Sequence, residues 1–145
     1  MLWDQKTIHL STRGSGFHLI TREVEEAMPL LGECEAGLLH LFVQHTSAGL
    51  AINENADPDV RGDLQRHFEY LAPRNAEHYR HTLEGPDDMP AHIKSVLTGT
   101  DLSIPVREGR LALGTWQGIY LCEFRDQPTE RSLVATLQGM RLNPA

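Results

Sequence analysis

Three segments of the chain concentrate side chains that can bind a metal ion or transfer a proton. The first covers residues 45–58 and the second covers residues 81–94, and each combines histidines with carboxylates. The third, residues 114–120, is almost uncharged and contains Trp116 and Gln117. Imidazole beside carboxylate suits both metal binding and acid–base catalysis, because both need groups that hold or pass protons near neutral pH. The sequence therefore indicates a polar site as well as a stable fold.

The histidines of the first two segments form a candidate set of metal ligands. Zinc commonly takes three protein nitrogens or oxygens and leaves one position for water or substrate. His45 follows an apolar strand, and the Gly85-Pro86 turn can bring His81 and His92 together. We therefore expect His45, His81 and His92 to bind a divalent ion, either zinc or magnesium. The spacing is not a diagnostic metal motif, and a histidine that is hydrogen-bonded to the backbone is the structural alternative at His45.

Other polar residues of these two segments are candidates for catalysis and substrate binding. Asp87 or Asp88 would orient a ligand imidazole or act as a base. Lys94 would neutralise a phosphate as a point charge, unless it is a plain surface residue. Thr46 and Ser47 either cap a turn or donate their hydroxyl groups to a phosphate.

The third segment suggests recognition of a planar ring. Its glycines permit close approach of the backbone, and Trp116 and Gln117 could stack on such a ring and hydrogen-bond to it. A β-bulge with a core tryptophan is the structural alternative. The remaining carboxylates divide between helix capping and chemistry: Asp57, which precedes a proline, is favoured as a cap, and Glu54 stays a candidate for either role.

Composition limits the classes of function. The chain has 145 residues, of which 40% are hydrophobic, and a formal net charge of −7; this predicts one globular domain over residues 1–145. No Lys/Arg run supplies the basic face of a generic nucleic-acid binder. No stretch approaches the roughly 20 apolar residues of a membrane span, and the first residues lack the features of a signal peptide. We therefore expect a cytoplasmic protein that binds neither nucleic acid nor membranes.

Strands near both ends of the chain, with helices between them, predict an α+β fold and not an alternating βαβ sheet. Strands are predicted at residues 7–11, 17–20, 37–44, 50–52, 102–106, 110–114, 119–124 and 131–137. The first two are expected to form a hairpin across Gly14-Ser15-Gly16. Helices are predicted from Thr21, a candidate N-cap, to near Gly32, from Asp57-Pro58 to Pro73, and over residues 90–97 with Asp87 or Asp88 as the cap.

Four motifs resemble the YjbQ family, whose members are described as secondary thiamine-phosphate synthases. They are His45-Thr46-Ser47-Ala48, residues 53–58, residues 84–94 and Gly114-Thr115-Trp116-Gln117-Gly118, and the likeness extends in the family's order over residues 3–139. The resemblance implies a compact two-sheet α+β domain with a few helices, assembled as a homotrimer with sites near the subunit boundaries. It also implies a pocket associated with metal ions, onto which ten residues carry over: His45, Asn53, Glu54, Asp57, His81, Asp87, Asp88, His92, Lys94 and Gln117.

We expect a metal-assisted enzyme of small phosphorylated metabolites with low-level thiamine-phosphate synthase activity, which couples hydroxymethylpyrimidine pyrophosphate to thiazole phosphate. The metal would neutralise the leaving pyrophosphate. The expected catalytic residues are Glu54, Asp87, Asp88, Lys94 and Gln117, and the expected substrate-binding residues are Thr46, Ser47, Asn53, Trp116 and Gln117. The dedicated synthase is a TIM barrel, a fold of about 250 residues, which this chain is too short to form. A metal-dependent hydrolase and a non-catalytic metabolite- or metal-binding module are the alternatives.

Overall fold

The computed structural model describes residues 1–142 of the chain. This part contains eight β-strands and three α-helices. The strands are β1 (Leu2–Thr12), β2 (Gly16–Leu19), β3 (Cys34–Val43), β4 (Ala48–Glu54), β5 (Asp101–Arg107), β6 (Arg110–Leu111), β7 (Gln117–Glu123) and β8 (Thr129–Arg141). The helices are α1 (Thr21–Ala27), α2 (Pro58–Leu71) and α3 (Asp88–Thr98), and a 3-10 turn covers Pro29–Glu33. The strands form two antiparallel sheets, which confirms the predicted α+β class.

The larger sheet has five strands in the order β1-β8-β3-β5-β6. The whole of β1 pairs with β8, from Leu2 opposite Gly139 to Thr12 opposite Thr129. One face of this sheet carries buried aliphatic side chains, such as Leu39 of β3, because alternate residues of a strand point to opposite faces. The alternation of polar and apolar residues that predicts these strands therefore also identifies the face that packs on the core.

The smaller sheet has the order β2-β7-β4, so the predicted hairpin of the first two strands is wrong. β2 pairs with β7 instead of β1. Gly14 and Gly16, with φ angles of 132° and 153°, turn the chain from one sheet to the other. Phe17 then packs edge-on against Phe68 and Phe124, with ring centroids 5.2 and 6.0 Å away. Burial of this ring, which an alternating pattern does not specify, favours pairing with β7.

α2 begins as predicted. Asp57 occupies its N-cap and accepts a hydrogen bond from the backbone N–H of Asp59 at 2.9 Å, while Pro58 is the first helical residue. The helix ends at Leu71, two residues before Pro73. Within residues 1–142, no helix is long and apolar enough to cross a membrane.

α1 is shorter than predicted and is not capped by Thr21. It ends at Ala27, and the chain continues as the 3-10 turn that begins at Pro29, since proline lacks the N–H that an α-helix interior requires. The hydroxyl of Thr21 accepts a hydrogen bond from the backbone N–H of Ile119 at 2.9 Å. This residue therefore fastens α1 to the smaller sheet.

α3 packs closely against β4. The hydroxyl of Ser95 donates a hydrogen bond to the carbonyl of Ala48 at 2.7 Å. A Cβ atom at Gly49 would lie only 1.8 Å from the hydroxyl oxygen of Thr98, so this approach requires glycine. Asp87 occupies the N-cap position of α3, as predicted, but its side chain makes no capping hydrogen bond. The smaller sheet thus sets the position of α3 and of the residues at its start.

Candidate metal centre

Two histidines and two carboxylates converge at the start of α3. One donor atom from each of His81, Glu84, Asp88 and His92 lies within 4.8 Å of all the others. The Oδ2 atom of Asp88 is 2.8 Å from Nε2 of His81 and 3.1 Å from Nε2 of His92. Ligands about 2.0–2.1 Å from a tetrahedral zinc lie roughly 3.3 Å apart, so these separations fit one shared ion. The nitrogen and oxygen donors also match the ligand chemistry of zinc.

Helix periodicity and one turn bring these residues together. Asp88 and His92 are four residues apart on α3 and therefore share a face. Gly85 has a φ angle of 104°, which favours glycine, and the turn there returns the chain from His81 to the helix. The ring centroids of His81 and His92 lie 5.3 Å apart. The Gly85-Pro86 turn thus brings these two histidines together, as the sequence predicts.

The backbone of Thr46 fixes the orientation of His92. Nδ1 of His92 is 2.9 Å from the carbonyl oxygen of Thr46, and a carbonyl can only accept, so Nδ1 carries the proton. In the neutral ring the lone pair then lies on Nε2, the atom that faces Asp88. A backbone carbonyl that fixes the tautomer in this way is the usual outer partner of a metal-binding histidine. Thr46 therefore contributes its backbone, where the sequence predicted its hydroxyl group.

Arg125 holds Asp88, Asp87 and the backbone of Glu84 in place. Its Nη1 donates to Oδ1 of Asp88 at 2.7 Å, its Nε to Oδ2 of Asp87 at 2.9 Å, and its Nη2 to the carbonyl of Glu84 at 3.0 Å. The side chain of Asp88 is 2% exposed. Burial alone would raise the pKa of Asp88, but hydrogen bonds and the nearby charges of His92 and Arg125 hold it below its ordinary value. Asp88 is therefore ionised, with Oδ2 left free to face the histidines.

The sequence did not assign a role to Arg125. The feature of the sequence that could have indicated a role is the charged run Glu123-Phe124-Arg125-Asp126, which follows the apolar residues of β7. Asp87, a predicted catalytic residue, accepts from both Arg125 Nε and the backbone N–H of Asp126 at 2.9 Å. It therefore supports Arg125 and is not one of the clustered donors.

His45, the third predicted metal ligand, does not join the cluster. Its Nε2 accepts a hydrogen bond from the backbone N–H of Ser132 at 2.8 Å. The proton of the neutral ring must then lie on Nδ1, which leaves no free lone pair for a metal. Burial lowers the pKa of His45, and the charge of Arg131 lowers it further against the opposing effect of Glu123. The structure thus favours the backbone-bonded alternative for this residue.

Ser47 lies in a buried polar network and not at the metal centre. Its hydroxyl oxygen accepts from Nη2 of Arg131 at 3.0 Å. Arg131 also pairs with Glu123, and their side chains are only 4% and 0% exposed. A second bond joins Arg131 Nε to Glu123 Oε1 at 2.8 Å, and the hydroxyl of Thr12 donates to the same oxygen at 2.7 Å. The hydroxyl of Ser47, predicted to bind phosphate, is therefore engaged in holding the two sheets together.

The other predicted site residues lie at the far end of β4. These residues are Asn53, Glu54, Trp116 and Gln117. β4 runs from Ala48, beside α3, to Glu54, and six residues of strand span about 20 Å. Gln117 lies opposite Glu54 in the sheet, and Trp116 is 63% exposed, so it is not a core residue. Within one chain, the predicted site is therefore divided into two groups that a single small molecule cannot contact together.

Lys94 points into the protein, whereas the sequence predicted a phosphate partner. The residue is 6% exposed, and its Nζ lies 5.7 Å from the ring centroid of Phe124. Burial lowers the pKa of Lys94 from its ordinary value of 10.5, because water no longer solvates the ammonium group. The neighbouring charges of Glu69, Arg74 and Asp126 act in both directions and do not cancel this effect.

We expect Lys94→Met to leave the free energy of unfolding at pH 7 within about 1.5 kcal/mol of the parent value. The folded parent binds fewer protons than the unfolded chain between the two pKa values, so its stability should rise as the pH approaches 10.5. The variant should lose this rise. Urea unfolding at pH 7 and pH 10 measures both effects. Lys6→Met, which removes an exposed lysine of β1, is the control. An unchanged alkaline rise in Lys94→Met would contradict the assignment.

A cleft opens beside the metal centre. It has a volume of about 490 Å³ and is lined by residues of the 75–90 segment, His81 among them. That volume is in the range of small-molecule sites. The clustered donors therefore adjoin a space that can hold a small substrate.

Sequence comparison identifies relatives over nearly the whole chain. The family model described as UPF0047 protein YjbQ-like matches residues 6–140. The UPF0047 protein YjbQ of Salmonella typhimurium is 54% identical over 138 residues, which cover 95% of this chain and 99% of that protein. The UPF0047 protein YugU of Bacillus subtilis is 45% identical over 120 residues, covering 83% of this chain and 87% of that protein.

Solved structures show the same fold. A conserved hypothetical protein from Thermus thermophilus has a TM-score of 0.78 and 45% identity, and the match covers 89% of this chain and 97% of that chain. A YbjQ-like protein of unknown function from Sulfolobus solfataricus has a TM-score of 0.84 and 26% identity, with 96% and 99% coverage. Motifs, whole-chain similarity and fold agree, and the chain belongs to the YjbQ-like UPF0047 family.

Proposed function

We propose that the chain is a metal-dependent enzyme of small phosphorylated metabolites, in which His81, Asp88 and His92 bind a divalent ion. Glu84 would be a fourth ligand or a base. The orientation of His92 carries this proposal, since its Nδ1 is bonded to the carbonyl of Thr46 and its Nε2 faces Asp88. Two imidazoles favour zinc or a similar transition metal over magnesium, which prefers oxygen ligands and retains water.

The residues around the centre have separable tasks. Arg125 keeps Asp88 ionised and directs its Oδ2 toward the two imidazoles. The side chain of Glu84 is 62% exposed and its Oε2 is 3.5 Å from Nε2 of His81, so it can take a proton from water or from a substrate hydroxyl. A bound divalent ion would supply Lewis acidity and lower the pKa of a bound water.

Charge neutralisation supports a metal role in phosphate chemistry. No Lys or Arg among the described residues lines the 490 Å³ cleft. A phosphate bound there would therefore depend on the metal centre for a positive partner. The family resemblance offers one candidate reaction, the coupling of hydroxymethylpyrimidine pyrophosphate to thiazole phosphate with loss of pyrophosphate. The exposed carboxylate of Glu84 favours a second candidate, metal-dependent hydrolysis of a phosphorylated substrate, because it is placed to deprotonate water.

The test is a turnover assay of metal-free, zinc-loaded and magnesium-loaded protein with these two phosphorylated substrates, separately and together. Metal-dependent formation of thiamine phosphate would support coupling, and metal-dependent phosphate release without coupling would support hydrolysis. We expect His92→Ala to abolish either activity, whereas His67→Ala, an exposed histidine on α2, should retain it. Tight zinc binding without turnover of any substrate would reject the enzyme and favour a binding module. Equal rates with and without metal would reject the metal mechanism.

We also propose that the chain forms a homotrimer through the outer face of the five-stranded sheet. Strand register places Trp3, Gln138 and Leu38 side by side on this face, with Phe42 and Met140 further along it. The four hydrophobic side chains among them are between 42% and 62% exposed: Trp3, Leu38, Phe42 and Met140. An exposed apolar patch of this kind marks an association surface. A closed ring would also protect sheet edges.

Light scattering at low micromolar concentration is expected to report three subunits. Phe42→Glu should shift the mass toward one subunit, because a carboxylate buried in an apolar interface loses its hydration. Tyr70→Glu, the same kind of change at an exposed aromatic residue of α2 and outside this sheet, is the matched control. A monomeric parent chain with undiminished zinc binding and turnover would reject the trimer.

A further inference from the structure

We infer that a second cleft, separate from the metal centre, binds a small uncharged planar ligand that presents a hydrogen-bond acceptor beside an N–H donor. This cleft has a volume of about 600 Å³ and lies between α1, the 3-10 turn and the segment 109–117. Its apolar lining residues include Met28, Leu31, Leu111 and Leu113. It lies beyond the end of β4 that is remote from α3, about 20 Å from the metal centre by strand length. The inference is therefore independent of the proposed metal function.

Two side-chain amides in this cleft are fixed by backbone bonds. The backbone N–H of Gly114 requires an acceptor, which identifies Oε1 of Gln117 at 2.7 Å. The carbonyl of Gln117 requires a donor, which identifies Nδ2 of Asn55 at 3.1 Å. A further bond from the N–H of Asn55 to the carbonyl of Trp116, at 2.8 Å, closes the arrangement. The orientation of both amides is thus set by their partners, which removes the usual ambiguity between amide nitrogen and oxygen.

This arrangement leaves the amide nitrogen of Gln117 as a donor and the amide oxygen of Asn55 as an acceptor for a ligand. Nε2 of Gln117 and Oδ1 of Asn55 have no hydrogen-bond partner among residues 1–142, and both side chains line the cleft. A ligand that satisfies both must accept from Gln117 and donate to Asn55. Carboxamides, lactams and amino-substituted nitrogen heterocycles share such an edge. Because the two amides are already fixed, their side chains lose no rotamer freedom when such a ligand binds, which favours affinity.

Charge around the cleft favours a neutral ligand, and the two fixed amides favour a planar polar edge on it. Glu25 and Arg110 both line it, and their opposite charges cancel at its surface. Trp116 is a sequence neighbour of the lining residues Thr115 and Gln117 and is 63% exposed, so its fluorescence can report a ring that binds at this end of the cleft. The cleft therefore combines apolar lining residues with a defined pair of polar groups, as expected of a small-molecule site.

Tryptophan fluorescence of the full-length chain provides the test. In a Trp3→Phe background, Trp116 is the only tryptophan. We expect nicotinamide and cytosine to quench it saturably, since one is a carboxamide and the other an amino-substituted heterocycle. 3-Acetylpyridine has the shape of nicotinamide but a methyl group in place of the amide NH₂, and it should bind roughly tenfold or more weakly. No saturable quenching by either probe up to about 10 mM would overturn the inference.

Two variants locate the binding. Gln117→Glu keeps an acceptor for the N–H of Gly114 but replaces the Nε2 donor by an oxygen, so nicotinamide should bind roughly tenfold or more weakly. Gln127→Glu makes the same chemical change outside the cleft and should leave binding unchanged. Gly32→Leu should also block the probes, because a Cβ at this lining position meets nothing within 4 Å and its side chain enters open space. Unchanged probe affinity in both Gln117→Glu and Gly32→Leu would overturn the inference.

Discussion

Asp88→Asn is expected to weaken zinc binding by at least about 100-fold while the chain stays folded. Asparagine can keep an oxygen for Nη1 of Arg125, which is 2.7 Å from Oδ1 of Asp88. It replaces the anionic Oδ2, which lies 2.8 Å from His81 and 3.1 Å from His92, by an NH₂ group without a lone pair for a metal. Competition titration against a chromophoric chelator measures the affinity, and circular dichroism checks the fold.

Asp87→Asn is the matched control for this change. Asp87 is adjacent in sequence and shares Arg125 as a partner, but its carboxylate is not among the clustered donors. Its replacement should weaken zinc binding by no more than about tenfold, through looser placement of Arg125. Equal and large losses in both variants would indicate a general collapse of this region. Wild-type zinc affinity in Asp88→Asn would exclude Asp88 as a ligand.

Glu123→Ala is expected to destabilise the fold by about 3–5 kcal/mol. The change leaves Arg131, which is 4% exposed, as a buried charge without its carboxylate partner. It also removes the acceptor of the Thr12 hydroxyl at 2.7 Å and of the backbone N–H groups of Phe124 and Arg125 at 3.0 and 3.1 Å. Urea unfolding measures the loss.

The double variant Glu123→Leu with Arg131→Met is the control, because it removes both charges and keeps most of the buried volume. It should be clearly more stable than Glu123→Ala, since no unpaired charge is left in the core. A loss below about 1 kcal/mol in Glu123→Ala would show that the ion pair is not the main support of this region.

The same ion pair predicts a loss of stability in acid. Burial alone would raise the pKa of Glu123, but hydrogen bonds from Arg131 and Thr12 outweigh it and hold the pKa below its ordinary value of 4.5. The folded state therefore binds fewer protons than the unfolded chain. The stabilisation is fully present above pH 4.5 and is lost as the pH falls through the lowered pKa of the folded state.

The elements of the fold were predictable where local chemistry determines them. Asp57-Pro58 identifies the start of α2 because side-chain capping and the fixed φ of proline act within a few residues. The pairing of β2 was not predictable, since it depends on where Phe17 finds aromatic partners. The end of α1 was missed because the apolar spacing of Met28 and Leu31 continues across Pro29 into a 3-10 turn.

The candidate site was predictable in its residue types and only partly in its geometry. Helical spacing relates Asp88 to His92, and a glycine turn returns His81 to them. The end of a strand, by contrast, does not determine which way a side chain turns, and His45 turns to the backbone of Ser132. Sequence also cannot distinguish an exposed from a buried cation, so Lys94 was expected to meet phosphate.

The close contact between Gly49 and Thr98 links the metal centre to a position far along α3. Asp88 and His92 lie near the start of this helix and Thr98 is its last residue. α3 is a rigid helix about 16 Å long. A side chain inserted between Thr98 and β4 would therefore tilt the whole helix and displace both donors together. During evolution, substitutions at positions 49 and 98 should therefore occur together. A lineage that gains a side chain at position 49 can keep the spacing of the donors only if position 98 loses volume.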